Sequence, residues 1–260
     1  MKIFSFNNPK VKELRRLQTK KILRNQQNII IVEGKKEIKM ALKQFRPHEL
    51  FLYQPICGYR FTIEKKFPFV IEIHESVFQK LSYINDRGGM IATFHRSDLS
   101  IQDLQLPKNP ILLVLVDIEK PGNLGAIIRS AAAIGTDVIL LSDLKTEIFH
   151  PNVIRSSLGT LFIHNVVIYQ SNELIKWFHL KKIKILATSI RENTINFYES
   201  NFLTGIAIII GNESLGLSFN WINRSYRLLK IPMYGNVDSL NVSNAVAVIL
   251  FEVLRQRMEI

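Results

Sequence analysis

Apolar residues recur along the chain in two series, separated by a stretch without a period. In the first series, Val11, Leu14, Leu17 and Ile22/Leu23 recur at helical spacing. They predict a helix over residues 8–28 with one apolar face and a charged remainder. NIIIVEG (28–34) reads as a buried strand, and a helix follows over 35–45. Strands are predicted at 48–53, 68–74 and 88–95, with a helix at 75–84. Residues 98–110 lose the periodicity and end in Pro-Lys-Asn-Pro, so they read as a linker. The second series begins with ILLVLVD (111–117), then a helix at 123–135 and a strand at 137–143. Further strands are predicted at 184–190, 205–211 and 228–233, and a helix from Val242 to Met258 carries Ala245, Val246, Ile249 and Val253 as its stripe. Strands alternating with helices imply α/β layers, with boundaries at 1–97, 98–110 and 111–260.

Composition sharpens this picture. With 260 residues, 47% of them hydrophobic, the chain is neither disordered nor collagen-like and is long enough for a substantial core. The single cysteine, Cys57, excludes a disulfide scaffold and a cysteine-based zinc cluster and fits a reducing compartment. The longest apolar runs are of strand length, far below the roughly 20 residues of a membrane helix. The first residues do not form a signal-peptide core, so a cytoplasmic protein is expected.

Charge is distributed unevenly. The chain nets +12, and residues 1–46 alone hold 13 Lys/Arg against 3 Asp/Glu, which leaves only about +2 for the remainder. Such a segment predicts a polyanionic partner, nucleic acid before membrane. Arg15, Arg16, Lys20, Lys21, Arg24, Lys35 and Lys36 are its candidate contacts.

Four loops could carry chemistry. After the strand at 111–117 comes Pro121-Gly122-Asn123-Leu124-Gly125, and then a helix bearing Arg129. A strand-to-helix turn of this kind presents free backbone N–H groups. The dinucleotide fingerprint fails, because Leu124, Ile127 and Ile128 stand where glycines are needed. On pattern alone Arg129 reads as a helix-surface cation paired with a carboxylate. The second loop, HPNVIRSSLGT (150–160), joins Pro151, Arg155, Ser156 and Gly159 in a capped helix start. The third runs from Gly211 through Asn212, Glu213 and Ser214 to Gly216, at the end of an apolar strand. Loops at that edge of a parallel sheet commonly hold ligands, although Glu213 alone reads more often as a cap or a solvated carboxylate. The fourth runs from Ile231-Pro232-Met233 to Asp238-Ser239-Leu240-Asn241 and Ala245. Its Ser/Asn run caps the last helix, but that does not explain Leu240 among polar neighbours. The six histidines show no metal-ligand spacing, no metal is expected, and there is no G-x-S-x-G.

In this order the four motifs resemble the SpoU/TrmH family of RNA ribose 2′-O-methyltransferases over about residues 110–258. Residues 8–95 are similar to that family's N-terminal substrate-binding domain, through PKVKELRRL, Ile31–Glu37 and the GGMIA stretch at 88–92. The resemblance implies an α/β/α domain with a parallel sheet and a deep trefoil knot, behind a smaller α/β RNA-binding domain. It also implies S-adenosylmethionine as cofactor and a homodimer. The cofactor loops would be Gly211, Asn212, Glu213 and Gly216, then Ile231 and Met233, then Ser239 and Leu240. Leu240 would supply an apolar wall and a backbone N–H for the adenine. The resemblance places Arg129 at the reacting centre, as base or as the cation that stabilises developing oxyanion. The second role is favoured, because a guanidinium stays protonated up to a pH above about 12. Asn123 and Asn241 would orient the ribose or the arginine, Ser239 would bond near the reacting hydroxyl, and Glu213 would brace the knot loops or Arg129. Arg155 would contact phosphate, on RNA held mainly by the other subunit. Ser214 departs from the glycine common at that position. The implied substrate is RNA, with 23S ribosomal RNA favoured because of the N-terminal domain. A transfer-RNA enzyme, an antibiotic-resistance methyltransferase and a non-catalytic assembly factor are the alternatives.

Overall fold

The computed structural model describes residues 2–53, 61–83, 89–190 and 193–258. Cys57, Gly88 and the end of the helix predicted at 75–84 lie outside them. The chain divides into two compact units, residues 1–97 with 158–163, and residues 98–157 with 164–260.

The first unit contains β1 (Lys2–Ile3), α1 (Pro9–Thr19), α2 (Lys21–Gln27), β2 (Ile29–Glu33), α3 (Lys35–Ala41), β3 (Arg46–Leu52), α4 (Phe61–Glu64), β4 (Phe69–Ile73), α5 (Glu75–Leu81) and β5 (Met90–His95). They form a sheet in the order β1-β4-β3-β5-β2, in which β5 runs antiparallel to both neighbours. Val11, Leu14 and Leu17 of α1 and Val77 and Phe78 of α5 bury against Phe51, Ile73 and Ile91. The single helix predicted over 8–28 is two helices. The chain leaves helical geometry at Lys20 (φ −110°, ψ 100°), and α2 ends on Asn28 in the left-handed region.

That break corrects one expected RNA contact. Arg24 is buried, and its guanidinium donates to the carbonyl oxygens of Leu17 and Gln18. The last carbonyls of a helix lack intrahelical donors, so Arg24 satisfies the end of α1 and is not displayed to a partner. Arg15, Arg16, Lys20, Lys21 and Lys36 are exposed and Lys35 is half-buried.

The second unit contains β6 (Ile111–Val116), α6 (Pro121–Ile134), β7 (Val138–Ser142), α7 (Pro151–Ser156), β8 (Val166–Ile168), α8 (Ser171–Leu180), β9 (Lys184–Thr188), β10 (Ile195–Asn196), β11 (Ile206–Ile210), α9 (Phe219–Asn223), β12 (Arg227–Lys230) and α10 (Val242–Met258). Its seven strands are all parallel, in the order β10-β12-β9-β11-β6-β7-β8. Every residue of β6 and β11 is buried, because central strands of a parallel sheet are covered on both faces. Pro121 opens α6 where its missing N–H costs nothing, and Gly135 closes it at φ 75°. At Gly125 an added Cβ would lie 2.5 Å from the Val153 carbonyl oxygen, so α6 and α7 pack nearly backbone to backbone there.

Residues 98–110, expected as a linker, belong to this second unit. Ile101 is buried in its core, with Leu99, Leu104 and Leu106 packed alongside. The apolar positions lack a regular period because they anchor an irregular segment.

At the far end of α10, Glu252 is buried and accepts hydrogen bonds from Arg255 and Gln256. The guanidinium of Arg255 holds the Glu252 carboxyl below the usual carboxylate range. A lowered folded-state value adds stability above the unfolded value of about 4.3, and that gain is lost as the pH falls through the folded value. Glu252→Gln is therefore expected to lower the Tm by a few degrees at pH 7. The difference should vanish below both values, as thermal melts followed by circular dichroism would show.

Candidate functional site

The parallel arrangement carries the loops after β6, β9, β11 and β12 to one edge of the sheet. Together with the start of α10 they enclose a cavity of about 410 Å³. Of the residues singled out in the sequence, Asn123, Gly211, Asn212, Glu213, Ile231, Met233, Ser239, Leu240 and Asn241 line it. These come from three of the four motifs, separated by up to 118 positions in the chain.

Three of them form a hydrogen-bonded chain. The Asn241 amide donates to Asn123 Oδ1 at 3.3 Å, and the Asn123 amide donates to Glu213 Oε1 at 2.8 Å. Asn241 Oδ1 accepts from the backbone N–H of Ser243 at 2.9 Å and from its hydroxyl at 2.6 Å. Asn241 therefore caps α10 and joins the relay at the same time. Glu213 is exposed, so its carboxylate is held from one side and open on the other.

Asn212 is buried and organises the third loop. Its Oδ1 accepts from the N–H groups of Ser214 (2.8 Å) and Leu215 (3.0 Å). Its amide donates to the Asp117 carbonyl (3.1 Å), Asp117 Oδ2 (3.2 Å) and Glu119 Oε1 (3.2 Å). Lys145 spans the same two carboxylates at 3.0 and 3.3 Å, and they hold its ammonium above the usual lysine range. The positive charge offsets what would otherwise be two acids converging on one amide. Gly211 and Gly216 close the loop. Asn212 and Gly216 form an isolated antiparallel bridge, and an added Cβ at Gly211 would lie 2.6 Å from the Gly216 carbonyl. Gly216, at φ 68°, shapes the loop but does not line the cavity.

Arg129 and Arg155 do not line the cavity. Both are exposed, on α6 and α7, and neither makes an ion pair or side-chain hydrogen bond among the described residues. The carboxylate partner that the pattern suggested for Arg129 is therefore not found there. Sequence reasoning missed Lys120, Thr188, Ser189, Ile190 and Lys230, and gave Asp238 of the fourth loop no role, although all of them also line the cavity. Thr188 ends β9, next to β11, and Ser189 and Ile190 follow it directly. Ligands gather beyond the carboxyl ends of parallel strands, so the end of KILATSI was the available signal. Among the described residues, no group of three His, Cys, Asp or Glu side chains could hold a metal ion.

Residues 110–251 match the model of the SpoU rRNA Methylase family, which is more than half of the chain. The chain belongs to the SpoU rRNA methylase family. Residues 8–92 match an MRM3-like substrate binding domain. An uncharacterized tRNA/rRNA methyltransferase of Synechocystis is 32% identical over 98% of this chain and 94% of its own. A 23S rRNA (guanosine(2553)-2′-O)-methyltransferase of Bacillus subtilis is 26% identical over 96% of this chain and 97% of its own. A crystal structure of an RNA 2′-O ribose methyltransferase superposes with a TM-score of 0.86 at 31% identity, covering 99% of this chain and 100% of that one. These likenesses agree with the SpoU/TrmH resemblance read from the four motifs.

Proposed function

We propose that this SpoU methylase transfers a methyl group from S-adenosylmethionine to a ribose 2′-hydroxyl of 23S ribosomal RNA. The observation that carries the reading is the convergence of three sequence-distant motifs on one cavity through Asn241, Asn123 and Glu213. Support comes also from the family match and from the 23S rRNA enzyme that aligns over nearly the whole chain.

The cavity suits the cofactor. Its volume falls in the range of small-molecule sites, and Ile190, Ile210, Ile231 and Leu240 give it an apolar wall. Asp238 and Glu213 offer carboxylates, and Lys120 and Lys230 ammonium groups, a pairing that fits a ligand bearing both signs of charge. When bound, S-adenosylmethionine supplies an activated methyl group. The residues then have to position a hydroxyl and manage one weakly acidic proton. Asn123, fixed on both sides, holds its amide at a set angle at the cavity edge. Ser239 offers a hydroxyl there. Arg129, unpaired among the described residues and permanently charged, is suited to bind phosphate and stabilise developing oxyanion. Arg155 is assigned a phosphate contact from the other subunit of a homodimer. The proposal carries the trefoil knot, formed by the cavity-lining loops, and a cytoplasmic location alongside ribosomes. Among the described residues no helix is long and apolar enough to cross a membrane.

Purified protein incubated with labelled S-adenosylmethionine and total RNA should label ribosomal RNA at a ribose 2′-O position. Cofactor binding without label transfer would overturn the enzymatic reading, and label confined to transfer RNA would overturn the substrate. The basic segment can be tested in the same assay. Reversing Arg15, Arg16, Lys20 and Lys21 to Glu is expected to weaken RNA binding at least tenfold and to flatten its salt dependence. Cofactor affinity should stay unchanged, because none of the four lines the cavity.

A further inference from the structure

The second unit has another cavity, of about 510 Å³, at the opposite edge of its sheet. Pro110 leads into β6, Lys184 begins β9 and Gly205 precedes β11, so the strands enter the sheet here and leave it at the methylase cavity. Lys108, Lys181, Lys182 and Lys184 line this second cavity, and among the described residues no carboxylate does. Among the described residues, Lys108, Lys181 and Lys182 make no ion pair or side-chain hydrogen bond. Lys182 sits at φ 55°, in the tight reversal after α8 that presents Lys181, Lys182 and Lys184 together. Thr204 lines the same space, and its hydroxyl oxygen is buried and, among the described residues, without a hydrogen-bond partner. Beside it, Tyr226 is 59% exposed. The Lys184 ammonium and the Arg227 guanidinium lie 5.2 and 5.5 Å from its ring centroid.

We propose that this lysine-lined cavity is a second RNA contact, in which the lysines hold phosphodiester groups and Tyr226 stacks on a base. The inference rests on the RNA methyltransferase reading. Residues 47–260 net only about +2, so four lysines around one space are a local concentration and not a share of a general excess. Like charges gathered without a counter-ion repel, and an anion placed among them removes that repulsion. An exposed ring flanked by cations adds what a phosphate alone does not need, a face for an unpaired base.

The test uses the full chain with two probes, a 23S ribosomal RNA transcript and single-stranded poly(U). Replacing Lys108, Lys181 and Lys184 together by Gln is expected to lower affinity for both about tenfold. It should also reduce the slope of log affinity against log salt by about 2, near 0.7 for each phosphate no longer neutralised. The matching triple Lys→Arg variant should bind as wild type, and Tm and S-adenosylmethionine affinity should be unchanged in both. Ultraviolet cross-linking should yield an RNA-bound peptide containing Tyr226, lost in Tyr226→Ala. Wild-type affinity and salt slope in the Gln variant would overturn the second contact while leaving the RNA reading intact. A wild-type protein that bound neither RNA would overturn both.

Discussion

Arg129→Ala is expected to reduce methyl transfer by roughly 10²–10³-fold, the usual effect of removing a group that stabilises charge only in the transition state. Cofactor affinity should be unchanged. The two halves of this result come from separate observations. Arg129 lies outside the cavity lining, so its loss opens no space around a bound ligand. It is also exposed and unpaired among the described residues, so no ion pair is broken and no buried charge is stranded. A helix-surface arginine of that kind tolerates alanine well, and the Tm should move little. Labelled-methyl transfer measures the first half and calorimetric titration with S-adenosylmethionine the second. Full activity in the variant would refute the assignment. Arg129→Lys is the useful companion, since an ammonium keeps the charge but loses the planar fork, and only partial recovery is expected.

Gly211→Ala should act on the opposite side of that division, weakening cofactor binding. Its Cβ would stand 2.6 Å from both the carbonyl carbon and oxygen of Gly216 and 2.8 Å from Leu217 Cγ. Two of those neighbours are backbone atoms and cannot rotate away. The loop has little freedom to yield, because the Asn212 amide is tied to Asp117 and Glu119. Overpacking of this sort costs about 1–3 kcal/mol, which corresponds to roughly 5- to 150-fold in cofactor affinity if the strain falls on the loop. Gly216→Ala provides the contrast. Nothing stands within 4 Å of its added Cβ, so the strain comes only from φ 68° and should cost about 1 kcal/mol. Titration of both variants with S-adenosylmethionine checks the order.

The sequence was most legible where one physical cause dominated. Short uninterrupted apolar runs rich in β-branched residues, such as ILLVLV and IAIII, read as strands covered on both faces, and they proved to be adjacent strands inside the parallel sheet. The ligand loops were legible because glycines and capping residues follow such strands at once. Three things were hidden. Arg24 looks like every other cation in its segment, and only the break at Lys20 gives its guanidinium carbonyls to satisfy. Thr188–Ile190 are ordinary residues whose importance comes from where β9 lies, beside β11, and that order is set by pairing across the fold. The lysines of the second cavity are spread over 76 positions from Lys108 to Lys184, and an average charge near zero conceals their meeting.

Helix α10 has 17 residues, about 25 Å of rigid rod at 1.5 Å per residue. Its first turn is held by Asn241, which is hydrogen-bonded to Asn123. Near its other end, Arg257 donates to the carbonyls of Asn109 and Thr204, both of which line the lysine-rich cavity. The rod thus works as a strut between the two edges of the sheet. One helix is therefore anchored at both edges, by Arg257 at the lysine-lined cavity and by Asn241 at the asparagine relay.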